Sequence, residues 1–143
     1  MKKYVINEIY SDGYERFAII EGGEDIKLNV HFLEYDEYLE NSEKSQKKNK
    51  GDVLEGEISI ELVSFRRKVD KELCHYQEMQ NASHIEAVVE VAQIIDKYSI
   101  YALSSILDDN ILIEFESAID CKVGERYFVA GSLELSEREY LLS

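Results

Sequence analysis

The chain has 143 residues, with 16 Lys plus Arg against 30 Asp plus Glu, and so a formal net charge of −14. That length predicts one domain, residues 1–143, able to bury a substantial core. The charge argues against a phosphate-binding surface and against an anionic membrane face, because both depend on Lys and Arg.

The chain begins Met1-Lys2-Lys3-Tyr4, and polar Asn7 and Glu8 follow at once, so no hydrophobic signal region is expected. The only cysteines are Cys74 and Cys121. Together these predict a reduced, cytoplasmic protein without a structural disulfide.

The dominant period from here on is two. Ile26, Leu28, Val30 and Phe32 alternate with Lys27, Asn29 and His31, while Ile58, Ile60 and Leu62 alternate with Glu57, Ser59 and Glu61. Ile111, Ile113 and Phe115 do the same with Leu112, Glu114 and Glu116. This is the pattern of strands with one face in the core and one in water. Turn residues punctuate it at Ser11-Asp12-Gly13, Gly22-Gly23, Asp96-Lys97, Asp108-Asp109-Asn110 and Val123-Gly124. Strands are predicted at 3–10, 14–21, 25–33 and 52–64, then at 85–95, 98–105, 110–117 and 125–136.

Two short helices are predicted. In residues 34–46, Tyr35, Tyr38 and Leu39 fall on one helical face. In residues 68–80, Val69, Leu73, Tyr76 and Met79 do likewise. Residues 85–95 could also take a helical pattern, but Ile85, Val88, Val89, Val91, Ile94 and Ile95 favour a strand. The expected fold is mainly β, an antiparallel sandwich or barrel with one or two short helices.

The two halves echo one another. Asp12-x-Tyr14-x-x-Phe17-Ala18-Ile19 matches Asp96-x-Tyr98-x-x-Tyr101-Ala102-Leu103. Ile26, Leu28 and Val30 then match Ile111, Ile113 and Phe115, and Gly56-Glu57-Ile58-Ser59-Ile60 matches Gly131-Ser132-Leu133-Glu134-Leu135. Either a four-strand unit is duplicated, over 3–64 and 85–136 with a basic irregular connection at 65–84, or hairpin meanders have converged on one pattern.

Charge is segregated along the chain: residues 1–43 carry −7, residues 44–72 carry +2 and residues 73–143 carry −9. The basic residues of the middle are Lys44, Lys47, Lys48 and Lys50, then Arg66, Arg67, Lys68 and Lys71.

Cys74, His75, His84 and His31 lack the paired spacing of a closed zinc site, so no metal and no cofactor are expected. No nucleophile elbow, phosphate loop or zinc-protease motif occurs, and no catalytic residue is assigned. Carboxylate pairs stand at Glu57 and Glu61, Glu86 and Glu90, and Glu114 and Glu116. Such pairs can serve a hydrolase or hold a hard cation, but acids on outer faces also keep sheets soluble, which is the simpler reading. There are 10 Tyr against 5 Phe and no Trp, and Tyr35 and Tyr38 sit inside an acidic run; Tyr anchors of this kind suit a protein interface.

Residues 85–136, read as IEAVVEVAQII, DKYSIYAL, NILIEFE and KVGERYFVAGSLEL, resemble the strand pattern of an oligonucleotide/oligosaccharide-binding (OB-type) barrel. Their outward positions are mainly acidic, which opposes nucleic-acid binding. In size, acidity and the segments EYDEYLE (34–40) and LDDNILIEFES (107–117), the chain is similar to immunity proteins of bacterial contact-dependent and polymorphic toxin systems. That resemblance implies a non-enzymatic protein that neutralises a basic partner, its cognate toxin, by occlusion. The partner-binding residues expected are Glu34, Tyr35, Asp36, Glu37, Tyr38, Asp108, Asp109, Glu114 and Glu116. The alternative is an OB-like ligand-binding, nucleic-acid-binding or assembly module working through the basic stretch 44–72.

Overall fold

The computed structural model describes residues 2–12, 15–21, 27–33, 49–78 and 83–137. Nine strands lie in them: β1 (Lys2–Asp12), β2 (Glu15–Glu21), β3 (Lys27–Leu33), β4 (Val53–Val69), β5 (Cys74–Tyr76), β6 (His84–Ile94), β7 (Ser99–Leu103), β8 (Ile111–Phe115) and β9 (Arg126–Glu137). No helix occurs among the described residues. The predicted helix at 34–46 lies outside them.

The helix expected at 68–80 is not formed through residue 78. Lys68 and Val69 end β4, and Cys74–Tyr76 make β5. Pairing overrides the helical spacing here: the ladder to β9 continues to Val69↔Arg126, and β5 pairs with β6 from Cys74↔Val88 to Tyr76↔Glu86. The segment 65–84 is therefore not an irregular connection throughout. All three β5 residues are exposed, so β5 has no alternating signature by which to be read. Residues 85–95 are extended, as their β-branched content predicts.

The strands join in the order β1-β2-β3-β9-β4-β8-β7-β6-β5, and further pairings of β1 with β4 and of β9 with β6 close the sheet on itself. Two closed circuits result. One runs β1-β2-β3-β9-β4 and back to β1; the other runs β6-β7-β8-β4-β9 and back to β6. Each is a three-strand meander whose last strand is parallel to the long strand of the other half, β3 to β9 and β8 to β4. Each first strand is antiparallel to its own long strand, β1 to β4 and β6 to β9. The pairing scheme thus maps onto itself when β1–β4 are exchanged for β6–β9. In this mapping Gly56, opposite Lys2, corresponds to Gly131, opposite Ile85.

The same mapping moves one part of the sequence match. His31 pairs with Glu134 and Leu112 with Ser59, which makes His31 and Leu112 counterparts. Val30 and Phe32 then correspond to Ile111 and Ile113, a shift of four residues from the match read in the sequence. An even shift keeps every side chain on its face, so alternation alone cannot fix this register.

One face of every long strand is apolar. Ile58, Ile60, Leu133 and Leu135 of the shared strands join Ile6, Ile20, Val30 and Phe32 from one half and Ile85, Val89, Ile100 and Ile113 from the other in a single buried cluster. Burial of this kind contributes about 25 cal/mol per Å² of apolar surface.

The β4–β9 ladder is interrupted once. Glu61 pairs with Ser132 and Phe65 with Ala130, so Leu62, Val63 and Ser64 stand opposite Gly131 alone. Within this bulge Leu62 is left-handed, at φ 54°, and its side chain is 63 % exposed. A leucine held there costs about 1–2 kcal/mol, only part of which glycine's extra freedom in the unfolded chain offsets. L62G is therefore expected to stabilise the protein by about 0.5–1 kcal/mol, read as a higher urea midpoint at unchanged slope.

Candidate functional site

Opposite the core face, the two shared strands carry a polar ladder. β4 presents Glu57, Ser59 and Glu61, and β9 presents Ser136, Glu134 and Ser132 directly across from them. Acid therefore faces hydroxyl at every rung. Ser59 Oγ donates to Glu61 Oε2 at 2.6 Å, and Ser132 Oγ donates to Glu134 Oε2 at 2.7 Å. With its proton committed, Ser132 accepts from Ser83 Oγ at 2.6 Å. His31 Nδ1 lies 2.7 Å from the other oxygen of Glu134. Short hydroxyls let carboxylates sit close together on a sheet where like charges on neighbouring strands would otherwise repel.

A cleft of about 500 Å³ opens on the β4 side of this ladder. Glu57, Glu61, Asp109 and Glu114 supply its carboxylates, and Tyr4 and Tyr101 its aromatic surface. The β7–β8 connection brings in Asp109, and outward alternation along β8 brings in Glu114. Lys2 stands within the lining, with Nζ 3.7 Å from Asp109 Oδ2. Tyr4 is buried; burial and the charge of Asp109 push its hydroxyl up to about 12, so it remains a neutral phenol.

Glu61 is the strained acid of the group. Burial raises its pKa above the ordinary carboxylate value, and Glu114 and Glu134 raise it further, against the lowering effects of the Ser59 hydrogen bond and of His31. A raised folded-state pKa means that the folded protein holds this proton more tightly than the unfolded chain does. The stability linked to it is fully present below the unfolded value and is lost as pH rises through the folded one. E61Q keeps an acceptor for Ser59 and removes the charge. It is expected to raise the urea midpoint at neutral pH and to leave it unchanged below about pH 4, where both side chains are neutral.

A second, neutral cleft of about 360 Å³ lies further along β4. Leu62 and Ser64 of the bulge, Phe17 of β2, and Gly131 and Ser132 of β9 border it. Gly56 lines the first cleft as Gly131 lines the second, so counterpart glycines mark both.

Of the expected partner-binding residues, Asp109 and Glu114 meet in the acidic cleft. Asp108 and Glu116 are exposed and are not part of its lining. Glu34, Tyr35, Asp36, Glu37 and Tyr38 lie outside the described residues. The reading of outer-face acids as solubilising groups passed over Glu57 and Glu61. The signal that identifies them is the complementary pair Glu57-x-Ser59-x-Glu61 and Ser132-x-Glu134-x-Ser136. Lys2, Tyr4 and Tyr101 carry no such signal and join the site only through the closed sheet.

Part of the basic stretch is committed to the fold. Arg66 donates to Ser117 Oγ at 2.8 Å and to the Ala118 carbonyl at 2.6 Å, and its guanidinium sits 5.7 Å from the centroid of the Phe115 ring. Lys68 pairs with Glu125 at 2.5 Å. Lys44, Lys47 and Lys48 lie outside the described residues. Cys74 is exposed and Cys121 buried, both as free thiols. Among the described residues no three His, Cys, Asp or Glu side chains are grouped to hold a metal ion.

No protein-family model, curated protein or solved structure matches this chain.

Proposed function

We propose that this protein is an acidic binding protein that neutralises a basic protein partner by covering it, in the manner of an immunity protein against a bacterial toxin. The observation that carries this reading is the acidic cleft: among the described residues, four carboxylates and two tyrosines border one concave surface beside the shared strand β4. A lysine or arginine placed there would meet preformed negative charge, and a cation beside Glu61 would offset the repulsion from Glu114 and Glu134. Tyr101, 37 % exposed, offers the aromatic contact that anchors an interface and accepts a cation on its face. The acidic surface around the cleft would steer a cationic partner and raise the association rate, an effect that salt weakens.

The OB-like alternative keeps one supporting observation, the closed circuit β6-β7-β8-β4-β9, which has five strands as an OB-type barrel does, although β4 comes from the other half of the chain. The commitment of Arg66 and Lys68 to internal partners removes two of the cations that it would use on nucleic acid.

The test is affinity capture from the native cell extract, with partners released by a salt gradient. Recovery of a basic protein whose own activity is blocked in the complex supports the proposal. Recovery of nucleic acid, or of partners indifferent to salt between about 50 and 500 mM, counts against it.

A further inference from the structure

Resting on that reading, we infer that the acidic cleft and the neutral cleft form one bipartite surface for an extended segment of the basic partner, with a cationic side chain in the first and an apolar side chain in the second. The two are consecutive along one strand: Glu57, Ser59 and Glu61 of β4 border the acidic cleft, and Leu62 and Ser64 border the neutral one. Their chemistry differs in kind. Among the described residues, the first holds four carboxylates, whereas the second has Phe17, Leu62 and Gly131 with serine hydroxyls and, as its one titratable group, His84. Charge complementarity selects a cation for the first, and apolar lining selects an uncharged group for the second. Leu62 stands 63 % exposed at its rim, although the sheet buries apolar residues to either side of it at Ile60 and Val63.

Geometry also fixes the form of the segment. From Ser136, which borders the acidic cleft, to Ser132, which borders the neutral one, is four residues of β9, or about 13 Å at the rise of a strand. An extended segment covers that distance in four residues and directs side chains i and i+4 to the same side. A helix advances only about 6 Å in four residues, so the same two side chains would not reach both clefts.

A peptide array tests this. Twelve-residue probes of Ser and Gly would carry one Arg and one Phe at separations of two to eight, with Arg alone, Phe alone and a Glu-for-Arg exchange as references. Binding is expected to peak at a separation of four and to fall about tenfold at three and five, where the two side chains point to opposite sides. L62G should reduce the separation-four signal to that of Arg alone, and thermal unfolding of the same sample verifies that it is folded. Equal binding at three, four and five, or an unchanged peak in L62G, overturns the bipartite surface while an Arg-dependent signal keeps the acidic-cleft reading intact. If exchanging Arg for Glu changes nothing, the acidic-cleft reading falls as well.

Discussion

Gly131→Val is expected to lower stability by about 3 kcal/mol or more and to do so in a single cooperative transition. A Cβ at this position would stand 2.6 Å from the Glu61 carbonyl oxygen and 3.0 Å from Cγ2 of both Ile60 and Val63. The first of these is backbone in a strand paired on both sides, so it cannot turn aside as a side-chain tip can. Overpacking of a close-packed core costs about 1–3 kcal/mol where side chains can give way, and more where they cannot. Native stability is only about 5–15 kcal/mol in all, so the loss is a large fraction of the total. Gly124 is the control: it is left-handed at φ +91°, but a Cβ there meets nothing within 4 Å. G124A should cost only the conformational strain, about 1–2 kcal/mol. The transition should stay single because β4 and β9 belong to both closed circuits, and neither half keeps its barrel when the shared strands part. Urea unfolding followed by far- and near-ultraviolet circular dichroism checks both points. A G131V midpoint no lower than that of G124A, or two resolved transitions, would contradict this account.

The strands could be read in the sequence because burial on one face writes itself as a period of two, which this chain obeys from Ile111 to Phe115, whereas from Leu28 to Phe32 the residue types alternate but Asn29 is buried with its neighbours. The C-terminal half of β4 could not. Phe65, Arg67 and Lys68 are exposed there and no alternation survives, yet the ladder to β9 runs on to Val69. Backbone pairing holds that segment, and backbone pairing leaves no mark on residue type. The same limit explains the four-residue slip between the halves: side-chain pattern fixes the face, and only partner strands fix the register. The site was legible in part for a related reason. Asp109 and Glu114 could be picked out as acids near a turn and on a strand face. Glu57 and Glu61 look like any solvent-facing acids until β9 is set beside them, and the hydroxyls across the ladder then show a built arrangement. Lys2 and Tyr4 reach the cleft only because β1 pairs with β4 as well as with β2.

On the proposed function, reversing charge at Glu57 and Glu114 together is expected to weaken binding of the basic partner by about 100-fold. Glu57 is exposed and Glu114 half-buried, so lysine at either position can reach water and the fold should survive the change. A carboxylate about 5 Å from a bound cation contributes about 0.8 kcal/mol even at the dielectric of water, and reversal doubles the change at each site. Two sites then give about 3 kcal/mol, or about 100-fold at 1.4 kcal/mol per decade. Reduced burial of solvent inside the cleft would lower the effective dielectric and enlarge the effect. The loss should divide between the two rate constants. Steering depends on net surface charge, which E57K/E114K changes by four units from −14, so association should slow and lose part of its salt dependence. Contact inside the cleft governs dissociation, which should quicken most for Glu114, the less exposed of the pair. E57Q/E114Q separates the contributions, because it removes attraction without adding repulsion and should give about half the free-energy change. A matching reversal at Asp108 and Glu116, which stand outside the cleft, alters net charge equally and should slow association alone. Equal losses in the two double variants would assign the binding to overall charge and not to the cleft between β4 and β8.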